Sequence, residues 1–246
     1  MLKILLIVCM LSILGWAENR PRLTISTGFA YPENRLIQTL MKEVSRRSNI
    51  NIQFESLPNK RSLVNANSGI ADGEAARVLE ISNYYPNLIP IPSQTHSIEL
   101  VALSKNKILL SGPQDLKKYN VGVIHGMKIA VLMAEKNKPI SLVKATDYET
   151  LVRMLDANRL DIVIMNKSSI LVNQDRFKGR NLYLQTRPLM TRPLYMQLHK
   201  KNKAYIPRLQ KALDSMHQDG TYLKMHNDFY KPYQDELPKT LHMIGP

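Results

Sequence analysis

The chain has 246 residues, 44% of them hydrophobic, which is enough apolar material for one large or two modest domains and excludes a disordered tail. Its 34 Lys and Arg against 20 Asp and Glu give a formal charge of +14, compatible with nucleic acid, an anionic membrane surface, an anionic ligand or simply a basic surface. Lys and Arg are scattered rather than concentrated in one run, which favours the basic surface, and the one cysteine, Cys9, makes no disulfide expected.

Residues 1 to 17 read as a secretory signal: Lys3 supplies the positive start, Ile4 to Leu14 the apolar region, and Gly15-Trp16-Ala17 the small residues a signal peptidase needs. The apolar run is too short for a membrane anchor, which takes about 20 residues. The mature protein is therefore expected to start near Glu18 and to be soluble, periplasmic and monomeric. Export argues against nucleic acid as a partner.

Arg22 to Thr27 is β-branched and bounded by Pro21 and Gly28, a first strand ending in the turn Gly28-Phe-Ala-Tyr-Pro32. Asn34 is placed to cap a helix through about Asn49, with Leu36, Ile37, Leu40, Met41 and Val44 as its apolar stripe. Asn51 to Leu57 alternates as a second strand. Leu63, Val64 and Ala66 follow at helical spacing up to Gly69, and a short extended run then directs Asp72, Glu74 and Arg77 outward. Glu74 and Arg77 lie three residues apart, which suits either the rim of a ligand cleft or a surface ion pair. This β-α-β-α-β order requires a parallel sheet with crossover helices.

Tyr84 to Pro92 reads as loop, Ser97 to Leu103 as a strand, and Ser104 to Pro113 as a linker. Asn120 to Ile124 is a short buried strand ending at His125-Gly126, followed by a helix from Met127 to Asn137. The start of that helix is either an anion-binding set of free backbone N–H groups or an ordinary strand-to-helix turn. Pro139 to Lys144 is another strand, Thr146 to Glu149 has capping-box spacing, and Leu160 to Met165 closes a second β-α-β-α-β unit. Asn181 to Leu184 and Leu194 to Leu198 read as strands. Helices follow over Tyr205 to Asp219, stopped by Gly220, and over Thr221 to about Tyr230. No nucleophile elbow, zinc motif or Walker loop occurs. The six histidines lack the close pairing of a metal site, so they read as surface or packing residues and no cofactor is expected.

Taken in order, Leu23 to Gly28, Gly69 to Arg77, Val121 to Gly126, Leu160 to Ile164 and Leu213 to Gly220 resemble the motif series of the family 3 extracellular solute-binding proteins, of the polar amino acid type. The resemblance covers nearly all of the expected mature chain. It implies a two-lobed α/β fold of the periplasmic binding protein type 2 class, each lobe a mainly parallel sheet flanked by helices, with the ligand cleft at the hinge. One lobe is expected to hold residues 18–103 plus 196–246 and the other 104–195. The implied function is capture of a small anionic or zwitterionic ligand by lobe closure, with a membrane permease or a sensor receptor as partner and no enzymatic turnover. Carried over by position, Tyr31 becomes an aromatic wall, Arg77 the partner of a ligand carboxylate with Glu74 beside it, and His125, Gly126 and Met127 an anion-facing helix start. Where amino-acid binders of this family place an acid for the ligand ammonium, this chain has Asn166, which brings no charge and disfavours a standard α-amino acid. An enzyme on the same scaffold, such as a periplasmic cyclohexadienyl-type dehydratase, is the alternative, with Glu74 or His125 as its general acid.

Overall fold

A computed structural model describes residues 20–245; the expected signal, the start near Glu18 and Cys9 lie outside the described residues. Strand β1 (Arg22–Thr27) buries Leu23 and Ile25. Helix α1 (Glu33–Ser48) buries every residue of the predicted stripe. Asn34 does not cap it: the residue lies inside the first turn, and its Nδ2 donates to Ser56 Oγ at 3.3 Å. The helix stops at Asn49, which takes the left-handed conformation at φ 53°, a role Asn fills where Gly is absent. Strand β2 (Asn51–Ser56), helix α2 (Asn59–Ser68) and strand β3 (Gly73–Arg77) complete the first unit, with β1 parallel to both β2 and β3.

Strand β4 runs over Leu88–Ser104, so the expected loop ends well before Pro92. The second unit consists of β5 (Asn120–Ile124), α3 (Lys128–Lys136), β6 (Ser141–Ala145), α4 (Tyr148–Asp156) and β7 (Ile162–Asn166), with β5 parallel to β6 and β7. The cap of α4 is Asp147, which accepts the Thr150 N–H at 2.8 Å; the expected capping box is one residue out of register. A short helix α5 (Lys167–Val172), strands β8 (Tyr183–Gln185) and β9 (Met190–His199), helices α6 (Ile206–Gln218) and α7 (Thr221–Glu236), and strand β10 (His242–Ile244) follow. Helix α7 continues beyond Tyr230 through Pro232. Pro removes one N–H from the helix, while Phe229, Tyr230 and Tyr233 around it are packed against the core.

Hydrogen bonds link the strands in the order β2-β1-β3-β9-β4-β7-β5-β6, with β8 bonded to β4 and β10. The long strands β4 and β9 therefore join the two parallel sets. Their antiparallel ladder shifts register between Pro90 and Gln94 and again between Gln94 and His96, and such bulges are where a strand accommodates proline. Leu23, Ile25, Leu36, Met196 and Leu209 form one core beside the first set. The second set has a core on each face, one built on Leu151, Val163 and Met165, the other on Val121, Val123 and Ile164. The end of the chain packs with this second set: Leu237 and Leu241 lie in the Val163 cluster, and β10 pairs with β8.

Candidate functional site

Three strand ends position the residues singled out by sequence. At the end of β3 the structure brings Glu74 and Arg77 together, Arg77 Nε lying 3.0 Å from Glu74 Oε1. Glu74 does not face outward as its spacing suggested; it is 0% exposed. Its carboxylate accepts hydrogen bonds from Ser62 Oγ, from Ser26 Oγ at 3.3 Å and from the Gly28 N–H at 3.4 Å. Burial pushes its pKa up, and the Arg77 charge and these hydrogen bonds oppose the shift. Arg77 is 14% exposed at its side chain and donates through Nη2 to the Asn59 carbonyl at 3.4 Å.

Gly28 makes that arrangement possible. A Cβ there would lie 2.4 Å from Arg77 Nη2 and 2.7 Å from Asn59 Cα, so only a residue without a side chain lets the guanidinium lie across the loop after β1. Asp72, also expected to face outward, instead ties the opposite end of β3, accepting from the Thr24 N–H and from Asn202 Nδ2, each at 2.8 Å. Tyr31 is 71% exposed, with the Arg35 guanidinium 5.6 Å from its ring centroid.

In the second set, His125 and Gly126 are exposed at the end of β5. The His125 N–H donates to the Ala145 carbonyl at 2.8 Å and the Met127 N–H to Ile124 at 3.0 Å, and α3 begins at Lys128. Among the described residues no hydrogen bond or ion pair joins this turn to the Glu74–Arg77 pair. Asn166 ends β7 and is buried, with Ser169 and its own main chain near enough to the Tyr148 hydroxyl to oppose the rise that burial gives that group. Lys167 next to it pairs with Glu99 at 2.9 Å.

Sequence reasoning missed the polar cluster between these strand ends. His96 of β4 is 2% exposed. The Phe29 ring meets it edge-on at 5.2 Å between centroids, and His226 of α7 stacks on it at 5.3 Å. Tyr222 packs against His226 at 4.4 Å and against His217 at 4.1 Å. Glu33, at the start of α1, places Oε1 3.9 Å from His96 Nε2, beyond hydrogen-bonding reach. Tyr230 lies beside Ser168, within the field of Glu33. Burial lowers the pKa of His226 to about 3, with His96 and His217 adding to the shift, and burial raises the Tyr222 hydroxyl to about 12. Burial likewise raises Tyr230 and Tyr148.

Six atoms here are buried without a hydrogen-bond partner: Glu33 Oε1, both ring nitrogens of His96, His226 Nε2, Tyr230 Oη and Ser168 Oγ. Each unmet group of this kind costs roughly 1–3 kcal/mol. One signal was legible in advance, since Tyr222, His226 and Tyr230 recur every fourth residue and so share one face of a helix. Among the described residues no three His, Cys, Asp or Glu side chains are grouped to hold a metal ion.

No protein-family model matches the sequence, and no curated protein does. Solved structures do. The chain is similar to a probable amino-acid ABC transporter extracellular-binding protein from Bacillus subtilis, with a TM-score of 0.70 at 17% identity, over 85% of this chain and 97% of that one. It is also similar to an ancestral arginine-binding protein bound to arginine (TM-score 0.62, 18% identity, 86% and 98% covered). A histidine kinase sensor domain with similarity to periplasmic binding proteins matches as well (TM-score 0.63, 13% identity, 86% and 96% covered). The fold is the two-lobed α/β fold of periplasmic-binding-protein-like domains, as the order of motifs implied. No helix among the described residues is long and apolar enough to cross a membrane.

Proposed function

We propose that this chain is an exported solute-binding protein that captures a small zwitterionic or anionic ligand between two lobes and presents it to a membrane permease or a sensor receptor. One observation carries the reading: the chain after β1 reaches the strand and helix that join the two sets, with Phe29 5.2 Å and Glu33 3.9 Å from His96 of β4, and Tyr230 of α7 packing against the cores of both sets. Ligands of open α/β sheets bind at the carboxyl ends of the strands, and closure is stabilised by contacts from both sides. The first lobe would comprise residues 18–103 and 196–236, and the second 104–195 with the tail from 237, which packs there.

In this reading Arg77 meets a ligand carboxylate, steadied by Glu74 beneath it, and Tyr31 forms an exposed wall. The turn of His125, Gly126 and Met127 and the end of β7 at Asn166 close from the other lobe. Capture is favoured over turnover because Glu74, a general acid for the enzymatic alternative, is fully buried and engaged by Ser26, Ser62, Gly28 and Arg77. The test is a thermal-shift screen of ligand-stripped protein against amino acids, organic acids and small peptides, with small-angle scattering on any hit. A stabilising solute that also reduces the radius of gyration is expected. Turnover of a hit, or a stabilising solute that leaves the shape unchanged, would overturn capture by closure.

A further inference from the structure

The partners of the charged groups around the cleft are unequal. Arg77 faces Glu74 at 3.0 Å, Lys167 faces Glu99 at 2.9 Å, and Arg35 stands over the Tyr31 ring. Glu33 has neither Lys nor Arg within ion-pair distance among the described residues, and its buried Oε1 has no hydrogen-bond partner. The groups around it are aromatic rings and uncharged polar atoms. His96 lies beside it with the Phe29 ring edge-on behind, Tyr230 of α7 feels its charge, and Ser168 of the second lobe lies beside Tyr230. His226, behind His96, stays uncharged at neutral pH because burial opposes its protonation. With Glu99 also acting on Tyr230 and paired to Lys167, the carboxylate left without a cation beside these ring faces and hydroxyls is Glu33, an arrangement that suits a cation.

We propose that Glu33, not Asn166, is the acid that receives a ligand's ammonium group, with the Tyr230 hydroxyl and the rings of Phe29 and His96 completing its shell. This rests on the solute-capture reading and narrows it: the ligand is a zwitterion whose carboxylate goes to Arg77. It also explains how a neutral Asn166 can stand at the end of β7, since the negative charge is supplied from the opposite lobe. Glu33, Phe29, His96 and Tyr230 all belong to the first lobe as proposed above, and Ser168, beside Tyr230, comes from the second.

The experiment pairs each ammonium-bearing acid with its deaminated counterpart: L-alanine with propionate, L-glutamate with glutarate, γ-aminobutyrate with butyrate, and L-lysine with hexanoate. The full protein, stripped of ligand by unfolding and refolding, is titrated with all eight by calorimetry, and native mass spectrometry before stripping adds any co-purifying molecule to the panel. At least one ammonium-bearing acid is expected to bind more than tenfold tighter than its partner. Glu33→Gln should erase that difference, while Glu33→Asp, which keeps the charge and controls for misfolding, retains part of it. If a deaminated acid binds as tightly, or the Gln variant stays within twofold of the parent, the Glu33 assignment fails and solute capture stands. Silence from every probe, with nothing co-purifying, overturns both.

Discussion

Removing Arg77 tests the site and the fold at once. Arg77→Ala leaves the Glu74 carboxylate at 0% exposure with only Ser26, Ser62 and the Gly28 N–H to hold it. Breaking a buried pair costs about 3–5 kcal/mol. Arg77 itself is 14% exposed, so solvent screens part of the attraction and the lower end, about 3 kcal/mol, is the better figure. At roughly 2–4 °C per kcal/mol for a chain of this size, the melting temperature should fall by about 6–12 °C.

The deficit should depend on pH in a set direction. A carboxyl whose folded pKa is raised is stabilising in its protonated form. Its contribution is complete below its unfolded value, near 4.5, and is lost as pH rises through the folded value. Without Arg77 the upward shift grows, so the variant should be weakest relative to the parent at pH 8 and recover toward pH 4. The double variant Glu74→Gln/Arg77→Ala, with no charge left to strand, should regain most of the loss. Urea unfolding at both pH values decides it. A deficit under about 1 kcal/mol at pH 8, or a double variant no better than the single one, would refute the buried-pair argument. Ligand affinity should fall about ten- to a hundredfold in the same variant, as expected for one charge-assisted bond.

Gly28→Ala should unfold at lower temperature and bind ligand less tightly, because its Cβ meets Asn59 Cα at 2.7 Å, a backbone atom that cannot swing aside, as well as the guanidinium. Overpacking of this kind costs about 1–3 kcal/mol, and an Ala variant with parental melting temperature and affinity would show that the loop is free to move. Arg47 bonds Glu43 at 2.6 Å, Asp219 at 2.7 Å and Thr221 at 2.8 Å, fastening α1 to the junction of α6 and α7. Hydrogen bonds from Arg46 and Arg47 lower Glu43 to about 2, and those from Thr221 and Arg47 lower Asp219 to about 2. The stability they contribute is present above about pH 4.5 and drains away as pH falls toward 2. A melting curve series across that window should slope downward with acid, and the slope should flatten in Arg47→Ala; an unchanged slope would remove this network from acid unfolding.

How much of this was readable in the residues depended on whether a local pattern had one physical meaning. The stripe Leu36, Ile37, Leu40, Met41 and Val44 could satisfy only a helix face, and it does. The prolines at 90 and 92 argued for loop, and they are loop-like only in the sense that the ladder slips around them; the remainder of the strand is secured by β9, which lies about a hundred residues away in sequence. Glu74 was misplaced for a related reason. Alternation marks an outward face only where a strand has one, and Gly73 to Ala76 are buried throughout because helices and neighbouring strands cover β3 on both sides. The sequence placed Arg77 and Glu74 together but could not say which of the two was inside.

The overall charge was the least instructive number. A formal +14 suggests an anion-seeking surface, yet that surplus does not describe the cleft, where three of the nearby cations already face a carboxylate. Arg77 answers Glu74, Lys167 answers Glu99, and Arg192 answers Glu80. Net charge acts at a distance and is screened within about 10 Å at ordinary salt, so it bears on encounter and solubility. Recognition at contact depends on local partners, and one charged group stands without an opposite charge. Here that group is Glu33, contributed by Tyr31-Pro32-Glu33-Asn34, a stretch that on the page looks like no more than a turn entering a helix. Its importance comes from His96 and Tyr230, brought to it by a strand and a helix far away in the chain.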